Sequence, residues 1–413
     1  MKRLLTIAMI ALAAASCGPK VKLVPEKNFD KELDGKKVAL YTIKGGDLIA
    51  QVTNFGGRVV SLWVPNKDGG MTDVVLGHNT LEEYAEPDGE RFVGCCVGPV
   101  ANRICKGRFC IDGQEYNVPI NNDENSLHGG FKGVDMLVWD VEEVDDNSIT
   151  LKVVHPDGME GYPGNITIEM TYTLTCNNAL KIDYEAVSDK KTPINLSHHA
   201  MINIGGELEE NIEDQIMRIN ADFYTPTDPT MIPTGEIKSV EGTPFDFRQP
   251  KLIGRDIALD DPDLAIGRGF DHNWCVNAPA EGELRDVCTV HSHRTGIIMQ
   301  VLSDQPGVQF YSGNFFDGRG VGKNGKSYDF RHALAIETQN YPDAVNHENF
   351  PCSVYEPGQE YSQVCIYKFS VCPKHAKKAC GKDKACCKEE GCCGEAGCCE
   401  KDGCCGKDDC CDK

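Results

Sequence analysis

The sequence predicts a large all-β domain between Val38 and Phe369, and three observations support this. Many short runs of apolar or alternating residues are separated by clusters of Gly, Pro, Asn and Asp, the usual pattern of strands joined by turns. Long helical periodicity is hard to find. No change in composition divides the region, which is long enough to bury a large core, so we expect a single domain.

The clearest predicted strands follow one another along the whole region. They cover residues 48–54, 59–64, 149–154, 166–174, 180–187, 297–302 and 363–369. A further apolar run, residues 333–336, is typical of a buried strand, and the carboxylate of Glu337 follows it directly. Polar residues and Pro342 come next.

Glu337 is therefore a candidate general base. The rim of a buried strand can partly desolvate a carboxylate while leaving it open to a substrate. Pairing of Glu337 with a neighbouring cation, for purely structural reasons, is the alternative.

Histidines provide candidate acids. His198 and His199 end another apolar run, and an imidazole can donate or accept a proton near neutral pH. His128 stands before Gly129 and Gly130, which permit a turn and a close approach of the backbone. A base, an acid and several neutral hydrogen-bonding groups are thus available to one site.

Six segments, in this order, resemble motifs of the aldose 1-epimerases, also called galactose mutarotases. They are residues 98–104, 125–131, 192–203, 269–274, 306–317 and 332–346. The segment from Glu337 to Asn346 is the most specific of them, and the resemblance covers residues 34–371. It implies a large antiparallel β-sandwich of the galactose mutarotase type, with the site in a cleft on one face.

The resemblance also implies a reaction. Glu337 matches the general base that takes the proton of the C1 hydroxyl, and His199 matches the general acid that protonates the ring oxygen. The C1–O5 bond then opens to the aldehyde. Rotation about C1–C2 and reclosure with the roles reversed give the other anomer of a hexose such as glucose or galactose. We expect burial to raise the pKa of Glu337 and that of His199 to change little, with no cofactor and no metal involved.

Five more residues match positions that hold sugar hydroxyls, namely Asn102, Arg103, His128, Asp271 and Gln309. Several buried donors and acceptors suit a neutral polyol, since a wrong sugar leaves some of them unpaired. Two alternatives stay open. His128 could be a turn residue bonded to its own loop, and Arg103 could pair with Asp271 for structural reasons.

Two departures from the family pattern concern the shape of the pocket. Pro99 stands where the family commonly has arginine, and Met201 and Ile202 replace a common Tyr-Phe pair after the acid. Neither change removes an acid or a base, but both put the preferred aldose in doubt.

Residues 320–327 also match the phosphate-binding pattern G-x-x-x-x-G-K-[ST]. That function requires a strand before the loop and a helix after it, whose N-terminus faces the phosphates. Here the chain leads into the strand that carries Glu337 instead. We therefore expect an ordinary loop and no nucleotide.

The N-terminus has the features of an export signal. A charged start is followed by an apolar stretch of residues 4–15, too short to span a bilayer, which needs roughly 20 residues. Its end, Ala-Ser-Cys17-Gly, resembles a bacterial lipobox. We expect residues 1–17 to form the signal with Cys17 lipidated, and residues 18–33 to form a tether. Cleavage by an ordinary signal peptidase is the alternative. The protein would then be exported, to the periplasm or the outer membrane.

The charge and the cysteines limit the possible partners. A formal net charge of −21 disfavours nucleic acid and anionic lipid, so membrane attachment should come from the lipid alone. Of the 22 cysteines, ten lie between Cys95 and Cys372, and we expect most of these to be small buried hydrophobes, with disulfides possible.

Eleven cysteines crowd Cys380–Cys411 within the low-complexity tail, residues 372–413, mostly as Cys-Cys pairs six residues apart. The tail cannot form a core. It could bind soft metals such as Cu(I) or Zn, form disulfides, or lack a defined ligand.

An exported aldose 1-epimerase is thus the function that the sequence favours. A hexose-6-phosphate 1-epimerase would need a cationic phosphate pocket that the sequence does not reveal. A sugar-binding lipoprotein without turnover, or a metal-handling lipoprotein acting through its tail, are the alternatives from other classes. The presence of both Glu337 and His199 speaks against a pure binder.

Overall fold

The structure is a computed structural model, and it describes residues 21–280 and 283–372. Strands dominate. Up to residue 144 they are β1 (Lys31–Leu33), β2 (Lys36–Val38), β3 (Leu40–Gly45), β4 (Leu48–Thr53), β5 (Arg58–Pro65), β6 (Met71–Asp73), β7 (Cys95–Val97), β8 (Arg103–Ile104), β9 (Arg108–Ile111), β10 (Gln114–Asn117), β11 (Ser126–Leu127) and β12 (Asp140–Val144).

The strands continue through the rest of the domain. They are β13 (Ser148–His155), β14 (Ile166–Leu174), β15 (Ala179–Ser188), β16 (Thr192–Pro193), β17 (Ser197–His199), β18 (Ile216–Ile219), β19 (Ala221–Thr225), β20 (Lys238–Ser239), β21 (Lys251–Leu252), β22 (Asp271–Val276), β23 (Arg285–His291), β24 (Ile297–Ser303), β25 (Gly307–Tyr311), β26 (Ala335–Gln339), β27 (Val354–Tyr355) and β28 (Tyr361–Val371).

Helices are few and short. Residues 21–280 and 283–372 contain two α-helices, α1 (Leu81–Ala85) and α2 (Pro262–Gly267), and six single turns of 3₁₀-helix. These turns are Glu26–Asn28, Cys105–Gly107, Val134–Met136, Met159–Gly161, Ile253–Arg255 and Ala344–Asn346. Within the described ranges no helix is long and apolar enough to cross a membrane.

Three larger antiparallel sheets build a large β-sandwich. The first has nine strands in the order β12-β13-β14-β15-β28-β24-β23-β18-β21. The second has five, β20-β19-β22-β25-β26, and the third has four, β3-β4-β5-β6. Five two-stranded pairs complete the fold, among them β8 with β11 and β7 with β17. This confirms the predicted all-β class.

Alternation explains how the sheets share a core. In β14 every second residue is buried, as expected for a strand with one face against another layer. The largest apolar cluster unites Val52 of the four-stranded sheet, Met170 of the nine-stranded sheet and Trp274 of the five-stranded sheet. Because the sheets share this core, the five-stranded sheet that carries Asp271 and Glu337 is held in place from behind.

The predicted strands agree with the observed ones, with ends that differ by one or two residues. One detail of the prediction is wrong. Glu337 does not end its strand but lies in the middle of β26, because the ladder with β25 continues to the pair Gly307–Gln339. Ladder pairs therefore flank Glu337 on both sides along the strand.

Part of the predicted tether belongs to the packed domain. Val24 and Phe29 are buried in a second apolar cluster, and the backbone N–H of Val24 donates to Oε1 of Gln51. Apolar side chains in this stretch lower their free energy by joining the core rather than facing water. Residues 1–20, including the lipidation candidate Cys17, lie outside the described chain.

All ten described cysteines are free thiols. Five are buried, as expected for small apolar residues, namely Cys95, Cys96, Cys275, Cys288 and Cys365. The prediction fails for Cys110, Cys176 and Cys352, which are exposed. The tail beyond Cys372 lies outside the described residues.

Candidate functional site

A cavity of about 550 Å³ opens where the ends of several strands meet their loops. The residues that line it come from distant parts of the chain and are mostly polar. They are Gly89, Glu90, Arg91, Phe92, Asn102, Arg103, Asn121, Asn122, Asp123, Leu127, His128, Phe131, His199, Pro229, Thr230, Met231, Ile266, Asp271, Tyr311, Phe315, Asp317, Arg319 and Glu337. Six of the seven predicted catalytic and binding residues are therefore brought together.

Glu337 is held rigidly on β26. Hydrogen bonds reach the carbonyls on either side of it, from Tyr367 Oη to Ile336 (2.9 Å) and from Ser197 Oγ to Thr338 (3.1 Å). The side chain itself is 2% exposed, and Oε2 has no partner among the described residues. Burial raises the pKa of this carboxyl well above its usual range, which confirms the expected direction.

His199 ends β17 and lies opposite Glu337 of β26. These two strands form what we call the floor of the cavity, and the loops around it form the rim. Its Nε2 lies 3.8 Å from Oε1 of Glu337, within reach of a shared substrate. Aromatic rings enclose the imidazole, with the Phe92, His128 and Tyr311 rings 5.9, 5.3 and 6.2 Å away between centroids.

This enclosure changes the acidity of His199. Burial lowers its pKa to about 4, because the cation loses the stabilisation that water gives it. The expectation of little change is therefore wrong. The sequence does not show that three aromatic rings surround this imidazole.

Asn102 and His128 form a unit between β8 and β11. The backbone N–H of Asn102 donates to Nδ1 of His128 (3.0 Å), and the N–H of His128 donates to the Asn102 carbonyl (3.0 Å). Because Nδ1 accepts, the neutral ring carries its proton on Nε2. His128 is thus bonded to the neighbouring strand rather than to its own loop, and it lines the cavity as a donor.

Arg103, Asp271 and Gln309 form a second unit. Nη2 of Arg103 lies 3.9 Å from Oδ2 of Asp271, and Nε2 of Gln309 donates to Oδ1 of Asp271 (2.7 Å). Arg103 Nε also donates to Oδ1 of Asn122 (3.1 Å). Arg103 and Asp271 line the cavity, so their pairing does not exclude contact with a ligand.

Gln309 differs from the other predicted residues. It is opposite Glu337 in the β25–β26 ladder but is not among the lining residues. Its amide is 2% exposed, with Oε1 unpartnered among the described residues. Gln309 therefore holds Asp271 in place through its hydrogen bond to Oδ1 and does not line the cavity itself.

A metal ion is one possible occupant of the floor. The nearest ligand atoms of His128, His199 and Glu337 lie within 4.8 Å of one another. Coordination through Nε2 of His128 would, however, move its proton to Nδ1, where the N–H of Asn102 already points. Two donors would then face each other, which disfavours this ligand set.

Sequence reasoning assigned no role to several lining residues, among them Glu90, Arg91 and Met231. Arg91 is placed by a bidentate pair with Asp135 (both 2.9 Å), and Asn125 holds the loop of Met231 through the Thr230 carbonyl (3.0 Å). These long-range contacts bring loops to the rim, and no local pattern signals them. The sequence signal for Glu90 and Arg91 is their closeness in the chain to Asn102, which is itself a predicted binding residue.

The positions that depart from the family pattern lie elsewhere. Pro99, Met201 and Ile202 are all buried, and none lines the cavity. These three positions therefore contribute nothing to the lining of the cavity.

The phosphate-binding pattern is a turn, as expected. Val321 and Ser327 form an antiparallel bridge, and no helix follows. Nζ of Lys323 is buried and donates to Asp73 Oδ2 (2.7 Å) and to two backbone carbonyls, while Nζ of Lys326 donates to the Leu208 carbonyl (2.6 Å). Both lysines are engaged in holding the loop.

Known proteins resemble this chain over most of its length. Residues 39–368 match the aldose 1-epimerase family model. The chain is 42% identical to galactose mutarotase of Rattus norvegicus over 338 residues, which is 82% of this chain and 95% of the relative. It is 32% identical to aldose 1-epimerase of Escherichia coli (strain K12), covering 81% of this chain and 96% of the relative.

Solved structures show the same fold. The GalM/aldose epimerase homologue from C. elegans superposes with a TM-score of 0.73 at 30% identity, covering 81% of this chain and 99% of that one. Galactose 1-epimerase from Lactobacillus acidophilus NCFM gives 0.72 at 28% identity, covering 83% and 97%. The extent of these matches establishes that the chain belongs to the aldose 1-epimerase family.

Proposed function

We propose that this aldose 1-epimerase interconverts the α and β anomers of hexoses, galactose and glucose among them, with Glu337 and His199 as the acid/base pair. The observation that carries the proposal is the buried pair at 3.8 Å on the floor of a cavity lined by donors and acceptors. The names of the relatives support the substrate class.

Throughout the proposed reaction, Glu337 and His199 together hold one proton, which sits on one or the other of them. With a cyclic sugar the proton is on His199; Glu337 takes the C1 hydroxyl proton while His199 gives its own to O5, and the C1–O5 bond opens. With the open aldehyde the proton is on Glu337. After rotation about C1–C2, Glu337 returns a proton to the C1 oxygen and His199 takes one from O5, so all protons balance.

Burial favours the form in which both groups are neutral, because desolvation raises the pKa of Glu337 and lowers that of His199. This is the charge state that matches the open aldehyde. The Arg103 guanidinium opposes it by lowering the pKa of Glu337. Sugar hydroxyls that donate to the carboxylate would add to this effect when the cyclic form binds.

The remaining predicted residues would orient the sugar. Nε2–H of His128 is a fixed donor, Arg103 offers N–H groups, and Asp271 accepts. Gln309 would act mainly by fixing Asp271, since its Nε2 donates to Oδ1 of that carboxylate. A rigid set of this kind favours one hydroxyl pattern over others.

Polarimetry of freshly dissolved α-D-galactose and α-D-glucose tests the proposal. Purified protein should bring both solutions to their equilibrium rotation much faster than buffer alone. Rotation that follows the spontaneous time course for both sugars, with folded protein present, would refute it.

We also propose that the enzyme is exported and anchored through a lipid on Cys17. The support is the short apolar stretch that ends in Ala-Ser-Cys17-Gly. Mass spectrometry of the mature N-terminus from a bacterial host should find acylated Cys17, and Cys17→Ala should lose membrane association. An unmodified Cys17, or cleavage elsewhere, would contradict the anchor.

Soft-metal binding by the tail is a separate proposal, which titration of the full chain with Cu(I) or Zn²⁺ tests.

A further inference from the structure

The charges around the cavity are uneven. Among the described lining residues three are arginines and five are carboxylic acids, namely Glu90, Asp123, Asp271, Asp317 and Glu337. With Glu337 in the neutral form that burial favours, four carboxylic acids remain against three arginines, so the lining has only a small negative excess. The charge that a ligand meets in the cavity therefore depends on how these groups are paired.

Each of the three arginines already has a carboxylate. Arg91 donates through Nε and Nη2 to the two oxygens of Asp135, both at 2.9 Å. Arg103 faces Asp271 at 3.9 Å, and Nη2 of Arg319 lies 2.6 Å from Oδ2 of Asp317. An anionic sugar would have to compete with these partners, so the arginines do not form a ready anion site.

Glu90 is the opposite case. It is half-buried, its Oε1 accepts from the N–H of Phe92 (3.1 Å), and burial raises its pKa above the usual range of a glutamate. Within the described ranges it forms no salt bridge, although Arg91 is its neighbour in the chain, because that guanidinium is bound to Asp135. Glu90 is thus a carboxylate in the sugar cavity that has no salt bridge among the described residues, although the charge of Arg91 acts on it from a distance.

Glu90 shares the cavity with Glu337 and Tyr311. Burial is the main cause of the raised pKa of both groups, and the charge of Glu90 adds a smaller contribution to each. A group that acts on the base across the cavity will act on a charged substituent of a bound sugar as well.

Resting on the mutarotase function above, we propose that Glu90 sets the charge selectivity of the cavity, favouring aldoses with an ammonium group and disfavouring hexuronates and hexose phosphates. The ammonium group of a 2-amino-2-deoxyhexose can donate hydrogen bonds to the carboxylate of Glu90. A carboxylate or phosphate on the sugar meets the uncompensated charge of Glu90 and arginines that are already paired. Repulsion of the wrong substrate then contributes as much as attraction of the right one.

The test compares D-glucosamine, D-glucose and D-glucuronate by two-dimensional exchange NMR of the anomeric signals, at a pH where the amine is protonated and Glu90, despite its raised pKa, is ionised. The spontaneous rate is subtracted for each sugar. In the wild type, kcat/KM for glucosamine should exceed that for glucuronate. Glu90→Gln should lower the ratio of these two kcat/KM values by about tenfold. Glu90→Asp keeps the charge, so its ratio should stay close to that of the wild type.

Asp123→Asn is the matched control, because it removes one charge from an exposed position on the same cavity. Solvent screening should limit its effect on the ratio to about twofold. A ratio unchanged in Glu90→Gln, or lowered equally by Asp123→Asn, would overturn the assignment. Failure of the wild type to accelerate glucose at all would instead overturn the proposed function, so the two failures are distinguishable.

Discussion

The floor and the rim of the cavity are built in different ways. The floor consists of β17 and β26, whose ladders and buried side chains fix His199 and Glu337. The rim consists of loops, such as those of Glu90 and Met231, that are held by a few long-range side-chain contacts. In the proposed reaction the chemistry thus depends on the sheet, whereas the choice of substrate depends on loops, which vary more easily.

Changes at the floor should have the largest effects. Glu337→Gln and His199→Asn each remove a proton-transfer group and should lower kcat/KM for galactose by roughly 10²-fold or more. Exchange NMR of the anomers measures the rate, and circular dichroism checks the fold. Near wild-type turnover in either folded variant would contradict the assignment.

The pH dependence should report on burial at the floor. The active pair holds one proton, so activity falls when His199 gains a second one as the pH drops through its pKa of about 4. It falls again when the pH rises through the raised pKa of Glu337. We expect kcat/KM to stay level down to about pH 4 and then to drop about tenfold per pH unit. An acid limb near pH 6.5, with the protein folded, would be inconsistent with a buried His199.

Asp271 lies between floor and rim, and its replacement should have an intermediate effect. Asp271→Asn removes the negative charge that pairs with Arg103 and leaves a weaker acceptor for the sugar hydroxyl. We therefore expect KM to rise about tenfold with a smaller change in kcat. Asn122→Ala is the control at the rim. It removes the acceptor of Arg103 Nε and one polar side chain of the lining, and it should raise KM about threefold or less. Equal effects of the two variants would erase the distinction between floor and rim.

The segments outside the domain should matter least for the reaction. Deletion of residues 380–413, or exhaustive chelation, should leave kcat/KM within about twofold, because every proposed catalytic residue precedes the tail. Steady-state kinetics of the truncated and the full chain, each with and without chelator, measures this. Loss of turnover on chelation, restored by one added metal, would show that a metal takes part in the reaction.

The sequence predicted the floor better than the rim. Alternation and apolar runs located the strands, and the motifs around His199 and Glu337 marked the pair. The pKa of His199 escaped prediction because it depends on the rings of Phe92 and Tyr311, which only the fold brings to it. Glu90 escaped as well, since its position depends on the anchoring of Arg91 to Asp135, a contact across 44 residues.

The central claim is that Glu337 and His199 act as one unit that passes a single shared proton. The most direct test is the rate of the double variant Glu337→Gln/His199→Asn, measured by anomer exchange beside both single variants. Because either single change already disables the unit, the double variant should be about as slow as the slower single variant. If the two losses multiply instead, the residues contribute independently and the shared-proton account is wrong.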